Sequence, residues 1–157
     1  MAFNFDKITD RIFVGSAPAV ESDVMEMRDA GITTVLNLQT DEDFATHGID
    51  WPGLTAAYQK HAIALSRVPM VDFDKQDLVA RLPEATEVLD GLINKGETVY
   101  VHCTAGKERS PGTVACYLAW QRGMGLTDAL TLVKTARDCQ PFEDALAIAD
   151  ARYHEPG

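Results

Sequence analysis

The sequence predicts an α/β fold, a central and mainly parallel sheet flanked by helices. Three observations carry that reading. Short apolar and β-branched runs of strand length occur, longer runs with helical periodicity alternate with them, and glycine, threonine and proline stand where the helical runs stop or start. A chain of 157 residues has the length of one domain, and a domain of that size buries roughly 70% of its unfolded surface in a single core. Residues 1–157 are therefore expected to form one domain.

Arg11-Ile12-Phe13-Val14 reads as a short strand closed by a turn at Gly15, and residues 21–30 read as a helix stopped by Gly31, because glycine adopts a left-handed conformation without penalty. Thr33-Thr34-Val35-Leu36-Asn37-Leu38 has the composition of a buried strand. A turn at Trp51-Pro52-Gly53 leads into a short helix over 54–62, followed by a less apolar strand over 63–68. The polar loop Asp72-Phe73-Asp74-Lys75 precedes a helix over 77–94 that ends at Lys95-Gly96. Pro83 lacks a backbone donor and is expected to bend that helix or to open its second half. Thr98-Val99-Tyr100-Val101 is the clearest strand. Three helices close the chain: 111–122 ended by Gly123, 127–137 capped by Thr127, and 141–153 opened by Pro141. In a sheet of this kind ligands bind beyond the carboxyl ends of the strands.

Composition excludes several function classes. A formal charge of -10 disfavours nucleic acid and anionic lipid as non-specific partners, since both need a net basic face. No apolar run approaches the ~20 residues of a membrane span. Met1-Ala2-Phe3-Asn4-Phe5-Asp6 has neither the basic start and apolar core of a secretory signal nor the composition of a transit peptide, so a cytoplasmic protein is expected. Three cysteines without a Cys-x-x-Cys pair fit neither a disulfide framework nor a zinc knuckle. Cys116 and Cys139 read as small core residues, with a disulfide between Cys139 and Cys103 under oxidation as the alternative. His47, His61 and His154 lack metal-ligand spacing, so no metal and no cofactor is expected, and the chain is expected to be a monomer.

The run from His102 to Pro111, His-Cys-Thr-Ala-Gly-Lys-Glu-Arg-Ser-Pro, follows the clearest strand and opens a helix, which puts it at the ligand-binding edge. Gly106 permits a tight loop whose amides can turn toward an anion, and the following helix N-terminus adds positive potential. A cysteine in such a field is favoured as the thiolate. Arg109 closes the loop with a planar fork suited to two phosphate oxygens. Cys103 is the candidate nucleophile and the loop Thr104, Ala105, Gly106, Lys107, Glu108, Arg109 the candidate phosphate cradle.

His-Cys, five residues, Arg, then Ser resembles the signature of the cysteine-dependent protein tyrosine and dual-specificity phosphatases. The resemblance implies a compact phosphatase-like α/β domain in which Cys103 forms a phosphocysteine and Arg109 binds substrate and transition state. It further implies that His102 tunes the thiol, that the Ser110 hydroxyl helps the thiolate leave, and that an upstream aspartate protonates the leaving alcohol. Asp72 fits that position, with Asp74 as the alternative. The likeness extends along nearly the whole chain and looks closest to the plant starch-excess glucan phosphatases and, more distantly, laforin. Leu36-Asn37-Leu38-Gln39 with its acidic run, Gly48-Ile49-Asp50, Asp72-Phe73-Asp74, Leu82-Pro83, Pro111-Gly112 and Cys139 followed by Pro141 carry it. In those plant enzymes the Phe of the acid loop helps hold a glucan, which implies that role for Phe73. The chain departs from them at Thr46-His47, where they carry aromatics, and at Ser110, where they often have Ala. Trp51 and Tyr58 are the aromatics that would compensate, unless they serve the core.

Lys107 followed by Glu108 resembles the loops of phosphoinositide phosphatases and of some bacterial tyrosine phosphatases; the alternative is a solvated ion pair. The expected function is an atypical dual-specificity phosphomonoester hydrolase acting on phosphoprotein or phosphoglucan. A phosphoinositide or inositol phosphate phosphatase and a catalytically silent phosphate-binding module are the alternatives.

Overall fold

Side chains along a strand point alternately to opposite faces, and the parallel strands here supply a core on each side. Ile12, Val14, Leu36, Val99 and Val101 join one apolar cluster, while Phe13, Val35 and Tyr100, which lie between them in sequence, join the other. Burial on both faces is what gives these strands their continuous apolar composition. The computed structural model describes residues 2–156. In chain order its elements are β1 (Phe5–Thr9), β2 (Ile12–Gly15), α1 (Glu21–Asp29), β3 (Thr34–Asn37), α2 (Asp41–Thr46), α3 (Trp51–Lys60), β4 (Ala64–Arg67), α4 (Lys75–Asn94), β5 (Val99–His102), α5 (Arg109–Gln121), α6 (Leu126–Ala136) and α7 (Glu143–Tyr153).

One sheet of five strands runs β1-β2-β5-β3-β4, with β1 antiparallel to β2 and every other pairing parallel. Helices α4 to α7 cover one face through Leu82, Leu89, Val114, Val133 and Leu146; α1 and α3 cover the other through Met27, Leu54 and Tyr58. The registers Gly15↔His102, Asn37↔His102 and Asn37↔Arg67 place the last residues of all four parallel strands in one row. Cys103 is the next residue beyond that row, at the centre of the carboxyl edge.

Several boundaries differ from the sequence expectation. Strand β1 is absent from it, because Phe5-Asp6-Lys7-Ile8-Thr9 is an edge strand in which only Ile8 is buried. Helix α2 is also absent; its six residues are too few for periodicity to reveal, and it is fixed instead by reciprocal bonds between Thr40 and Asp43. Helix α3 begins at Trp51, not beyond the turn, since Asp50 caps it by accepting from the Gly53 amide at 3.2 Å. Helix α4 runs through Pro83 unbroken: Leu78, Leu82, Ala85 and Leu89 on both sides bury into the same core, against a proline cost of about 3 kcal/mol. Helix α5 starts at Arg109, so Pro111 falls among the first-turn amides that need no intrahelical acceptor. Gly125, not Thr127, is the N-cap of α6, and α7 starts at Glu143, beyond Pro141. Strand β5 lies at Val99–His102, one residue later than the expected 98–101, so that the loop begins directly at Cys103.

Candidate active site

The loop after β5 is held from outside, carbonyl by carbonyl. His102 Nδ1 donates to the Cys103 carbonyl at 2.8 Å, and the Ala17 amide to that of Thr104 at 2.9 Å. Arg137 donates to the carbonyls of Ala105 (3.1 Å) and Gly106 (2.7 Å), and the Gln140 amide to that of Lys107 at 2.7 Å. The Glu108 carbonyl accepts from Gly112 in the first turn of α5 at 3.1 Å. No peptide bond here is cis. In a trans peptide the N–H points opposite to the carbonyl of the same plane, so the amides of Thr104 to Arg109 point the other way, into the loop. Among the described residues none of these six amides meets an acceptor. They form an anion-sized nest at a helix N-terminus.

Gly106 makes the loop possible. Its φ is +70°, and a Cβ there would lie 2.4 Å from the backbone of Gly15. Gly15 is equally confined, since a Cβ on it would lie 2.4 Å from the Asn4 carbonyl oxygen and the Tyr100 hydroxyl.

Cys103, only 3% exposed, lies on the floor of a cleft of about 380 Å³. Its Sγ is 3.3 Å from Ser110 Oγ, a hydroxyl fully buried at the start of α5. Arg109 is 2% exposed and aimed by two carboxylates and two oxygens: Nη1 donates to Asp43 Oδ2 at 2.8 Å and to the Met70 carbonyl at 2.9 Å, Nη2 to Thr104 Oγ1 at 3.2 Å, and Nε lies 3.3 Å from Asp72 Oδ1. Burial works against the Arg109 cation, but the Cys103 sulfur, the Asp43 bond and Asp72 outweigh it and raise its pKa. Burial works against the Asp43 anion as well; the Arg109 bond and those from Thr40 outweigh it and lower its pKa.

Asp72 lines the cleft on the loop before α4, whereas Asp74 turns away and caps α4 by accepting from the Asp77 amide at 3.0 Å. Asp77 in turn accepts from the Val71 amide at 2.8 Å, which ties the loop back on itself. Phe73, between the two, has φ +60° and is 74% exposed at the cleft mouth. His102 is fully buried and neutral: burial pushes its pKa down to about 4, and among the described residues Nε2 has no partner. Its hydrogen bond to the Cys103 carbonyl is therefore made by a neutral ring and not by a cation. Lys107 lines the cleft with its chain, but its Nζ donates to the Asp138 carbonyl at 2.9 Å. Lys107 and Glu108 do not pair with each other; Glu108 lines the cleft.

The other aromatics and thiols serve packing. Trp51 stacks on Phe44, and the Arg67 guanidinium covers both rings; Tyr58 is buried in the core with α1. Cys116 is fully buried and its pKa is pushed up to about 12 by burial, and Cys139 is buried and unpaired. Among the described residues no cluster of His, Cys, Asp and Glu could hold a metal ion, and no helix is long and apolar enough to cross a membrane.

Asp43 and Arg137 contact this loop without having been singled out from the sequence, and Gln39, named there only within a run that carries the family likeness, contacts it as well. Gln39 Nε2 donates to Thr104 Oγ1 at 3.0 Å. The spacing Thr40-x-x-Asp43 is a capping-box signal that marks α2, but nothing local in the sequence points Asp43 or Arg137 at a loop more than thirty residues away in either direction.

Residues 12–144 match the family described as the dual specificity phosphatase, catalytic domain. The chain belongs to this family. Among proteins it resembles, phosphoglucan phosphatase LSF1 of Arabidopsis thaliana is 35% identical over 149 residues, covering 95% of this chain and 25% of LSF1. Phosphoglucan phosphatase DSP4 of Castanea sativa is 34% identical over 153 residues, covering 96% of this chain and 41% of that protein. The chain thus spans less than half the length of these curated relatives. The crystal structure of PTPMT1 superposes with a TM-score of 0.76 at 18% identity, covering 96% of this chain and 94% of the other, which shows a shared fold.

Proposed function

We propose that this domain hydrolyses phosphomonoesters through a phosphocysteine. The observation that carries the reading is the nest of six unpartnered amides above Cys103, closed by the Arg109 fork. A phosphate seated there presents phosphorus to Cys103 Sγ. The thiolate forms the S–P bond as the P–O bond to the leaving alcohol breaks, and Asp72 gives that oxygen its proton. Amides and guanidinium take up the charge on the equatorial oxygens. Water, deprotonated by the same aspartate, then attacks phosphorus, the S–P bond breaks, and the Ser110 hydroxyl donates to the departing thiolate. His102 fixes the Cys103 carbonyl outward, and Asp43 keeps Arg109 aimed. A reducing compartment suits three unpaired cysteines.

For the substrate, phosphoglucan comes first and phosphoprotein second. The names of LSF1 and DSP4 support the former, as does an exposed phenylalanine at the mouth, where an aromatic face could stack on a sugar ring. The test is direct. Cys103→Ser is expected to abolish release of phosphate from an aryl phosphate, while Asp72→Ala lowers turnover by about 10²-fold or more for alkyl leaving groups and much less for nitrophenol. Retention of full activity by Cys103→Ser overturns the mechanism, and absence of any release of nitrophenol or phosphate by the native protein favours the silent module. Release from phosphorylated amylopectin no faster than from a generic ester removes the glucan reading.

A further inference from the structure

The charges around the cleft are unevenly placed. Its lining contains the carboxylates Asp43, Asp72 and Glu108 against the cations Lys107 and Arg109. Arg109 is already paired with Asp43 at 2.8 Å and Asp72 at 3.3 Å. Lys107 holds its ammonium on the α6–α7 connection, 2.9 Å from the Asp138 carbonyl oxygen and 3.5 Å from its carboxylate. The Glu108 carboxylate, among the described residues, has no ion-pair or hydrogen-bond partner. Its pKa is raised, by burial first and by the charge of Asp72 second, so its carboxyl feels the acid loop across the cleft. A neighbouring pocket of about 190 Å³ shares His47 and Thr104 with the cleft and is otherwise lined by uncharged residues, among them Ser16, Ala17, Gln39 and Ile49.

We infer that Glu108 is a specificity-determining residue: its carboxylate makes the rim of the cleft acidic, so that one phosphate is admitted into the nest and substrates carrying further negative charge beside it are rejected. The inference rests on the phosphate-binding reading of the nest. A lone phosphate dianion is met by amides and Arg109. A second phosphate, or an acidic side chain next to the ester, meets the Glu108 carboxylate, while the Lys107 ammonium is turned away from the cleft onto Asp138. Like charges set opposite each other discriminate between ligands by repulsion as effectively as a new contact does by attraction. The remainder of the preferred substrate is uncharged and lies along the pocket shared through His47 and Thr104. The Lys107-Glu108 pair thereby acts opposite to a loop built for polyphosphorylated inositols.

The experiment compares kcat/KM for two phosphotyrosine peptides, one flanked by alanines and one by glutamates, and reads the ratio of neutral to acidic. The native protein is expected to favour the neutral peptide by about tenfold or more. Glu108→Gln is expected to cut that ratio at least threefold. Glu84→Gln, which removes the same formal charge from an exposed site on α4, and Lys107→Met are both expected to leave it within twofold. An unchanged ratio in Glu108→Gln, or an equal fall in Glu84→Gln, overturns the inference, as does a rise of threefold or more in Lys107→Met. The same question is put without turnover to the Cys103→Ser protein, by calorimetric binding of inositol monophosphate and inositol hexakisphosphate. There Glu108→Gln must tighten the hexakisphosphate at least threefold more than the monophosphate, and equal changes overturn the inference. If no peptide is hydrolysed by any variant but this binding contrast holds, the catalytic reading fails and the charge filter stands.

Discussion

A fully buried histidine that is neutral at neutral pH makes the fold acid-sensitive. In the folded chain the pKa of His102 is pushed by burial from the usual 6.5 to about 4, and its Nδ1–H must stay in place to hold the Cys103 carbonyl. The unfolded chain takes up this proton below pH 6.5 and the folded chain only near pH 4, so stability is full above that window and declines through it as pH falls, by about 3 kcal/mol in total. Asp43 acts in the same direction at lower pH: its depressed pKa contributes stability that is present above the unfolded value and lost as pH falls through the folded one. Denaturant unfolding of the native protein and of His102→Gln at several pH values between 7 and 4 should show the decline in the first and a much shallower one in the second. Parallel curves would contradict the assignment. Gly106 offers a second residue-scale test. Gly106→Ala forces a Cβ to within 2.4 Å of the Gly15 backbone at φ +70°, so it should cost more than about 2 kcal/mol and abolish binding of inorganic phosphate, whereas Gly123→Ala, also at positive φ but with open space around it, should keep phosphate binding.

Three elements meet at Arg137, the residue that ends α6. It is 3% exposed and donates to Ala105 and Gly106 of the loop, and to Asn4 (2.8 Å) and Asp6 (3.1 Å) at the start of β1. Removing the guanidinium leaves two loop carbonyls unpaired and free to turn inward, where they would oppose the phosphate. Two buried unsatisfied carbonyls cost about 1–3 kcal/mol each; Asp6 is half exposed and adds little. Arg137→Met should therefore lose about 2–5 kcal/mol of stability and raise KM for an aryl phosphate well beyond what an equally destabilising core change such as Leu89→Ala produces. Equal KM values in the two variants would make Arg137 a purely structural residue. The same elements show what could be read from sequence. Strands β2, β3 and β5 are legible because burial on both faces leaves an unbroken apolar run, and the loop after β5 because its cysteine, glycine and arginine are local in sequence. Edge strand β1 and short α2 are not legible, since Asp6 and Lys7 face solvent in one and a reciprocal cap defines the other. Asp72 and Asp74 could not be separated by sequence, because only the start of α4 decides which of them is a cap.

At the scale of the whole molecule, 24 acidic against 14 basic side chains leave a formal charge of -10, an unfavourable far field for an anionic substrate. In many anion-binding proteins a local cluster of free cations overrides such a field. Here the cations at the cleft are already paired, Arg109 with Asp43 and Asp72 and Lys107 with Asp138; on the proposed reading the phosphate is met by an Arg109 that it shares with Asp43 and by amide dipoles, whose field falls off within a turn of helix. Attraction thus begins only once the phosphate has entered, and approach is governed by repulsion. Screening shortens from roughly 30 Å at 0.01 M salt to about 8 Å at 0.15 M. Added sodium chloride should therefore raise kcat/KM for an aryl phosphate dianion, by roughly twofold or more across that range, chiefly through KM. A phosphopeptide flanked by lysines should show the opposite, being drawn to the acidic surface at low salt and losing that advantage as it is screened. A fall for both substrates would mean that free cations at the cleft dominate approach, and that Lys107 leaves Asp138 in solution to meet the incoming phosphate.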